Sequence, residues 1–363
     1  MKDFDKLCVW LSMSDMPTKK LYDFLTEIDN PLEFLSQPQY SPKIMRHFSG
    51  DEFQNLLVLR NSSRFTSLCK SLENGPIKYV TIFDENYPHC FKELDVPPFI
   101  IYYVGDYTLL GRKSVAMVGT RNCTRYGAEI TEKFAREIAK AGFCVVSGLA
   151  DGIDYHAHAG TLDVGGKAIA VLAGGLNYIY PAANADLARK IINQGGLIIS
   201  EQAPDSKPQS YTFIQRNRLI AAASDGVVVT EAGEKSGALH TVNFALDLGK
   251  DIFAVPGNVN SKSSEGTNKL IKQFYTTCST SSDDVLSVLN SEIDLNKTTV
   301  DVEDSLNEQE KLVIDLLKSY ELHIDEIVEK TKINLKTLTG LLTMLEIRGL
   351  IRRLPSNYYK VVD

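Results

Sequence analysis

Between residues 111 and 275 the chain repeats one pattern: a short continuous apolar run, a turn that usually contains glycine, and a helical pattern. The apolar runs are Val115–Val118, Cys144–Val146, Ala168–Leu172, Leu197–Ile199, 226–229 and 252–255. Continuous runs of Val, Ile and Leu that alternate with helices are typical of a parallel sheet buried on both faces. The pattern therefore predicts an α/β protein. Ligands of such sheets bind at the carboxyl ends of the strands, so we expect the turns to converge on one crevice there.

The composition limits the ligands and compartments available to the chain. A formal net charge of −7 over 363 residues argues against general coating of polyanions, so a nucleic-acid site has to be a local basic patch. Six cysteines without a CxxC pair predict reduced thiols and no zinc site. No apolar run approaches the ~18–20 residues of a membrane span, and the first residues lack the apolar segment of a signal peptide. We expect a cytoplasmic protein with no membrane partner.

The two ends of the chain do not show this repeat. Residues 1–75 have apolar residues at helical spacing, which predicts a small helical module, and residues 76–278 contain the α/β repeat. Residues 279–304 begin with serines and continue as an acidic tether, which is typical of a linker. Residues 305–363 combine helical patterns with a final hairpin pattern, which predicts a winged helix-turn-helix domain.

The turns after the first two strands of the repeat can bind an anion. Gly119, Thr120 and Arg121 follow a strand and precede a helix, so turn amides and a guanidinium can hold a phosphate at the helix N-terminus. Their glycine spacing differs from the dinucleotide-binding fingerprint. The alternative is an ordinary turn with a surface arginine. Ser147 and Gly148 form a second amide-rich turn of the same kind.

A third group of candidates combines a ring for stacking, positive charge and an amide. Its members are Phe213, Arg216, Asn217 and Arg218. Stacking on an exposed ring contributes about 1–3 kcal/mol per base and tolerates any base sequence. The alternative places Phe213 in the core and pairs the arginines with Glu201 and Glu231. Further on, Lys235, Ser236 and Gly237 open a helix whose dipole favours an anion.

The acidic residues and histidines near these turns do not predict a catalytic or metal site. Glu231 and Glu234 are the carboxylates of the loop after residues 226–229, and no nucleophile or metal ligand stands beside them. His156 and His158 are two residues apart and point to different sides of a helix, which leaves a metal shell incomplete. Asp154 fits the role of a helix cap. We expect no catalytic residue, no metal and no cofactor.

In this order and spacing the motifs resemble those of the DNA-processing protein A family, called DprA or Smf. The matching motifs are Val118-Gly-Thr-Arg121, 147–154 with His158, 170–175, Tyr180-Pro181 with Asn184, Ser200-Glu201, 213–218, 231–237 and 254–257. They cover the whole central domain, and a SAM-like helical module and a winged helix also flank that domain in the family. The resemblance implies an extended Rossmann-like sheet, a homodimer and no known catalysis.

The resemblance also implies a function and a set of contacts. Members of the family coat incoming single-stranded DNA during natural transformation and help to load the RecA recombinase onto it. Carried over by position, the phosphate and base contacts are Gly119, Thr120, Arg121, Ser147, Gly148, Phe213, Arg216, Asn217, Arg218, Lys235, Ser236 and Gly237. The chain departs from the family at Asp151, where a basic residue is common, and at Ala182 and Ala185, which leave a loop without lysines. Fewer cations imply weaker binding and a shallower salt dependence.

We therefore expect a dimeric, non-enzymatic protein that binds single-stranded DNA and loads RecA in transformation and recombination. One alternative is a nucleotide-hydrolysing enzyme, because the loop from Glu231 to Gly237 loosely resembles that of phosphoribohydrolases, although it lacks their Pro-Gly-Gly. A second alternative is a scaffold for partner proteins. The third helix of the winged-helix domain offers few basic residues, so this domain can contact duplex DNA, a partner protein or a second copy of the chain.

Overall fold

In a computed structural model the chain forms two compact units, Met1–Leu289 and Asn290–Asp363. The structure describes residues 1–14, 16–36, 44–273, 276–290, 308–318, 321–347, 350–354 and 357–361. None of the helices in these ranges is long and apolar enough to cross a membrane.

A nine-stranded sheet forms the centre of the first unit. Its strands are β1 (Lys78–Thr81), β2 (Ile100–Gly105), β3 (Ser114–Val118), β4 (Cys144–Ser147), β5 (Ala168–Val171), β6 (Leu197–Ser200), β7 (Gly226–Val229), β8 (Asp251–Ala254) and β9 (Thr277–Cys278). Their order across the sheet is β1-β2-β6-β5-β4-β3-β7-β8-β9. Strands β3 to β9 pair in parallel, whereas β2 is antiparallel to both β1 and β6. The predicted α/β class with a large Rossmann-like sheet is confirmed.

Helices cover both faces of this sheet. They are α1 (Asp3–Ser12), α2 (Thr18–Glu27), α3 (Pro31–Ser36), α4 (Gly50–Arg60), α5 (Ser63–Asn74), α6 (His89–Lys92), α7 (Arg125–Lys140), α8 (Ile153–Asp163), α9 (Ala185–Asn193), α10 (Ser210–Ala222), α11 (Ala238–Asp247), α12 (Glu265–Lys272) and α13 (282–290). Alternate residues of β3 enter different cores, Ala116 and Val118 on one face and Val115 and Met117 on the other. Burial on both faces explains why the strand is apolar at consecutive positions.

The connectivity of the sheet reverses at β3. From β3 the chain moves outward through β4, β5 and β6 on one side, and it then returns to place β7 on the other side. Such a reversal opens a crevice between the carboxyl ends of the two strands that flank it. Gly119 follows β3 and Thr230 follows β7, which places two of the predicted turns at this crevice.

The N-terminal helices pack against the sheet edge that β1 and β2 form. Trp10 of α1 is fully buried, and its Nε1 donates to the backbone oxygen of Leu56 in α4 at 2.7 Å. Tyr102 of β2 is buried in the same apolar cluster, and its hydroxyl lies 2.6 Å from the Ser12 hydroxyl. The N-terminal helices and the sheet edge therefore share one hydrophobic core.

The first unit extends into the segment predicted as a linker. Val285 and Leu289 of α13 are buried in the apolar cluster that contains Phe253 of β8. These contacts explain why the first unit ends at Leu289. Residues 291–304 of the predicted linker lie outside the described ranges.

The second unit is a small domain of helices and a three-stranded antiparallel sheet. Its elements are α14 (Glu308–Leu317), β10 (Leu322–His323), α15 (Ile324–Thr331), α16 (Leu335–Ile347), β11 (Ile351–Leu354) and β12 (Tyr358–Val361). Val313, Ile327 and Leu338 come from the three helices and meet in its core. The strand order is β10-β12-β11, so the predicted winged helix is confirmed, with β10 as a third strand that the sequence pattern does not reveal.

Candidate nucleic-acid interface

A cavity of about 490 Å³ lies at the carboxyl ends of β3 and β7. Its walls come from the turn after β3, the loop after β7, and the helices α10 and α11. Nine of the predicted site residues line it, namely Gly119, Thr120, Arg121, Phe213, Arg216, Asn217, Lys235, Ser236 and Gly237. The other three, Ser147, Gly148 and Arg218, lie outside its lining.

Glu231 holds the turn after β3 in place. Its backbone oxygen accepts from the Thr120 amide at 2.7 Å, and its Oε2 accepts from the Thr124 amide at 2.8 Å. The other carboxylate oxygen accepts from the Ser263 hydroxyl at 2.7 Å. A Cβ on Gly119 would lie 2.6 Å from the Glu231 backbone oxygen, so only glycine permits this approach. The Glu231 carboxylate is therefore a structural group, and it is only 2% exposed.

The open side of the cavity carries positive charge and an aromatic ring. The guanidinium carbon of Arg121 lies 4.8 Å from the centroid of the Phe213 ring. Arg121 and Lys235 are exposed, and Phe213 is half-buried. Lys235 and Ser236 precede the first turn of α11, where the helix dipole adds positive potential. This combination attracts a phosphate and offers a face to a flat ring.

Arg216 forms the floor of the cavity and is not a free surface cation. It is 5% exposed, and its Nη1 donates to the backbone oxygens of Gly148 at 2.6 Å and Val171 at 2.5 Å. Burial lowers the pKa of the Arg216 guanidinium to about 10, and the Asp154 carboxylate opposes that shift. Burial raises the pKa of Asp154, and the charge on Arg216 opposes that change in turn. The two charges compensate each other beneath the cavity.

The turn formed by Ser147 and Gly148 supports the cavity from below. Ser147 is fully buried, and its hydroxyl donates to the Met117 backbone oxygen at 2.7 Å. The Gly148 amide donates to Asp154 Oδ2 at 3.1 Å. A Cβ on Gly148 would lie 2.5 Å from the Arg216 guanidinium, so any larger residue here would displace that guanidinium. The Gly148 backbone oxygen is in turn one of the two oxygens that accept from Arg216.

Arg218 forms a buried ion pair outside the cavity. It is 8% exposed, and its Nη2 donates to Glu201 Oε2 at 2.6 Å. The Thr18 hydroxyl donates to the same oxygen at 3.1 Å. The alternative prediction of arginine–glutamate pairing therefore holds for Arg218 and Glu201. It does not extend to Glu231, whose carboxylate bonds to an amide and a hydroxyl instead.

Sequence reasoning misses Tyr180, which does not line the cavity but contacts Phe213 of its lining, and it assigns Asp154 to the wrong partner. Tyr180 is 52% exposed, and its ring meets the Phe213 ring edge to face, with the centroids 5.6 Å apart. The prediction that Asp154 caps α8 is wrong, because its carboxylate accepts from the amides of Gly148 and Ala150, which precede that helix. The Tyr180-Pro181 motif was the only available signal for the tyrosine.

The two histidines near the cavity lie in separate environments. His158 is fully buried, and burial lowers its pKa to about 3. The Nδ1 of His156 lies 2.8 Å from Glu132 Oε1. Within the described part of the chain, no group of three or more His, Cys, Asp and Glu side chains is placed to hold a metal ion.

A larger cavity of about 1130 Å³ lies beside β1 and β2, the two strands at one end of the sheet order. Its lining includes the rings of Tyr79, Phe83 and Tyr107 and the carboxylates of Asp84 and Glu85. Carboxylates repel phosphates, so this cavity is a poor site for a polyanion. The cavity between β3 and β7 is the better candidate.

Comparisons with known proteins identify the family. The family model described as DNA recombination-mediator protein A matches residues 78–290, and the model of the DprA winged helix domain matches residues 298–357. The chain is 40% identical over 198 residues to DNA processing protein DprA of Bacillus subtilis, covering 54% of this chain and 66% of that protein. It is 39% identical over 228 residues to protein Smf of Escherichia coli, covering 61% of each.

A solved structure supports the same assignment. The X-ray structure of DprA from Streptococcus pneumoniae superposes with a TM-score of 0.65 at 30% identity, and it covers 79% of this chain and 98% of that one. A structure that describes the single-stranded DNA binding mode of DprA from Helicobacter pylori superposes with a TM-score of 0.54 at 35% identity, covering 59% and 96%. With its central and C-terminal domains both matched in order, the chain belongs to the DNA recombination-mediator protein A family, DprA/Smf.

Proposed function

We propose that this protein binds single-stranded DNA, without preference for base sequence, in the cavity between β3 and β7. The observation that carries the proposal is the joint placement of Arg121, Lys235 and Phe213 around one cavity at the switch point of the sheet. Proteins that bind single strands combine a positively charged groove with aromatic rings on which bases stack. The Helicobacter pylori relative, whose structure describes a single-stranded DNA binding mode, supports this assignment.

The cavity offers few groups that distinguish one base from another. The Asn217 amide nitrogen donates to the Gly237 backbone oxygen at 3.1 Å, which helps to fix its orientation. Arg216 donates to two backbone oxygens and stays beneath the cavity. Phosphates would then contact Arg121 and Lys235 while one base stacks on Phe213. Such contacts use features that every nucleotide has.

We propose supporting roles for the predicted site residues that do not line the cavity. The Gly148 backbone oxygen holds the Arg216 guanidinium, and Ser147 fixes the turn that carries Gly148 through its bond to Met117. Arg218 anchors α10, the helix that carries Phe213, to Glu201. Their loss would weaken DNA binding indirectly, through the position of α10 and of the buried guanidinium.

We also propose that the protein is not an enzyme. Glu231 bonds through both carboxylate oxygens, and Glu234 pairs with Lys269 at 2.9 Å, so neither glutamate is poised as a general base. Incubation with nucleoside monophosphates tests the hydrolase alternative. Release of free base above the level of a buffer control would overturn the proposal.

The wider role rests on family membership. We propose that a homodimer of this chain protects incoming single-stranded DNA in the cytoplasm and loads RecA onto it during natural transformation, with the winged helix contacting duplex DNA or a partner protein. The matches to the Bacillus subtilis and Escherichia coli relatives span 66% and 61% of those proteins. RecA loading is tested by the lag in DNA-dependent ATP hydrolysis by RecA, which the protein should shorten on DNA coated with single-strand-binding protein. An unchanged lag would contradict the loading role.

Fluorescence anisotropy with a labelled oligo-dT and a matched duplex tests the DNA proposal directly. We expect tighter binding to oligo-dT, and a loss of affinity when the salt concentration is raised, because phosphate contacts release counterions. Equal affinity for both DNAs, or binding to neither, would overturn the proposal.

A further inference from the structure

We propose that Tyr180 is a second stacking platform, which receives the base next to the one on Phe213. The inference rests on the proposed function and adds the direction in which the strand leaves the cavity. Tyr180 belongs to the loop between β5 and α9, whereas the turn at Gly119 follows β3. The strand would therefore run along the carboxyl edge of the sheet, from the crevice between β3 and β7 towards β5.

Three flat groups lie next to one another at this edge. The guanidinium of Arg121 lies 4.8 Å from the Phe213 centroid, and the Tyr180 centroid lies 5.6 Å from it. The Tyr180 and Phe213 rings meet edge to face, with an angle of 63° between their planes, and half of Tyr180 is exposed. Because half of Tyr180 is exposed despite this contact, the residue keeps surface on which a base can stack.

The loop that carries Tyr180 is held firmly on both sides. Before it, the Asn177 amide donates to the Pro204 backbone oxygen at 2.9 Å, and the Asn177 side chain donates to Asp205 Oδ1 at 2.8 Å. After it, the Asn184 side chain donates to the Leu149 backbone oxygen at 3.0 Å. The ring is therefore pre-positioned, and a base that stacks on it does not have to order the loop.

The angle between the rings predicts how the DNA would lie. Two bases stacked flat on planes 63° apart cannot stack on each other, so each would be held separately and the backbone would bend between them. The loop after Tyr180 continues with Ala182 and Ala183, which carry no charge. The contribution of Tyr180 would then come from stacking alone, without a phosphate contact.

Substitution of Tyr180 combined with a modified DNA tests this inference. The probes are a labelled oligo-dT and an abasic oligomer of equal length, which has the same sugar-phosphate backbone but no bases. We expect Tyr180→Ala to weaken oligo-dT binding by about 5- to 150-fold, the range for loss of one stacked base, and Tyr180→Phe to bind like the unsubstituted protein. Tyr180→Ala and the unsubstituted protein should bind the abasic oligomer with the same affinity. The slope of log affinity against log salt should not change, because no phosphate contact is lost.

Phe83→Ala is the matched control. Phe83 is 56% exposed but follows β1, the outermost strand, three places from β5 in the sheet order, and it does not line the cavity, so its removal should leave both affinities unchanged. Equal loss of affinity for oligo-dT and for the abasic oligomer in Tyr180→Ala would overturn the inference, because the ring would then act only through the loop. Unchanged oligo-dT binding by Tyr180→Ala would overturn it as well. Failure of the proposed function would be recognised separately, by the absence of oligo-dT binding in the unsubstituted protein.

Discussion

Arg121 covers one face of the Phe213 ring, with its guanidinium carbon 4.8 Å from the ring centroid. The cation and the ring therefore form one surface. A base that stacks on that face has to displace Arg121, which frees the guanidinium for a phosphate, while a base on the other face leaves the cation–π contact in place. With a base on either face of the ring, the position of Arg121 therefore depends on how the base binds to Phe213.

Loss of the Arg121 charge should weaken DNA binding and change its salt dependence. We expect Arg121→Ala to lower oligo-dT affinity about tenfold or more, because a charge-assisted phosphate contact is lost. The slope of log affinity against log salt should become shallower by about 0.7, the value for one phosphate contact on a single strand. Anisotropy titrations at several salt concentrations measure both effects.

Arg125→Ala is the control for Arg121. Its side chain is 92% exposed and pairs with Glu129 on the surface of α7. It does not line the cavity, so its removal should leave both affinity and slope near those of the unsubstituted protein. An equal effect of the two substitutions would show that general surface charge, and not the cavity, attracts the DNA.

Removal of the Arg218 side chain should lower the free energy of unfolding directly, and it should weaken DNA binding only as a consequence. Arg218→Ala leaves the Glu201 carboxylate buried without its cation, so we expect the free energy of unfolding to fall by about 3–5 kcal/mol. Urea unfolding of Arg218→Ala, Glu201→Ala and the double variant measures the coupling, and the double variant should lose less than the sum of the single variants. Additive losses would mean that the pair is not coupled.

Removal of the Glu231 carboxylate should lower DNA affinity although it removes a negative charge. A purely electrostatic effect would raise affinity for a polyanion. Glu231→Ala instead leaves the Thr124 amide and the Ser263 hydroxyl without their acceptor, which loosens the turn that carries Arg121. We expect a loss of about 1–3 kcal/mol in stability and weaker oligo-dT binding with an unchanged salt slope. Tighter binding would show that the carboxylate repels the DNA directly.

His158 should make the fold less stable as the pH falls. Burial lowers its pKa to about 3, whereas an unfolded histidine has a pKa near ~6.5. Below that value the unfolded chain binds a proton that the folded chain does not, so the His158 contribution to stability is complete above ~6.5 and is lost towards about 3. The loss approaches ~1.4 kcal/mol per pH unit.

Urea unfolding of His158→Leu between neutral and mildly acidic pH tests this effect. Leucine does not titrate, so the stability of the variant relative to the unsubstituted protein should rise steadily as the pH is lowered. His89→Ala is the control, because its side chain is 86% exposed at the surface whereas that of His158 is fully buried. Parallel pH profiles for His158→Leu and the unsubstituted protein would contradict the prediction.

The sheet and most of the cavity were predictable because they follow from local patterns. Continuous apolar runs mark strands buried on both faces, and the turn at Gly119 directly follows such a run. Contacts between distant segments were not predictable in this way. Arg216 and Arg218 look alike in sequence, yet one lies under the cavity and the other pairs with Glu201, because tertiary packing decides which partners are near. Tyr180 likewise meets a ring 33 positions further along the chain, and no periodicity indicates that contact.

The Glu201 carboxylate links the N-terminal helices to the helix that carries Phe213. Its Oε2 accepts from Thr18 of α2 and from Arg218 of α10. A chimera that replaces residues 1–75 with those of a relative therefore has to supply a hydroxyl for Glu201, or it leaves this ion pair short of a donor. None of the described residues of the N-terminal helices lines the cavity, and yet their sequence is constrained by the helix that we propose binds the DNA.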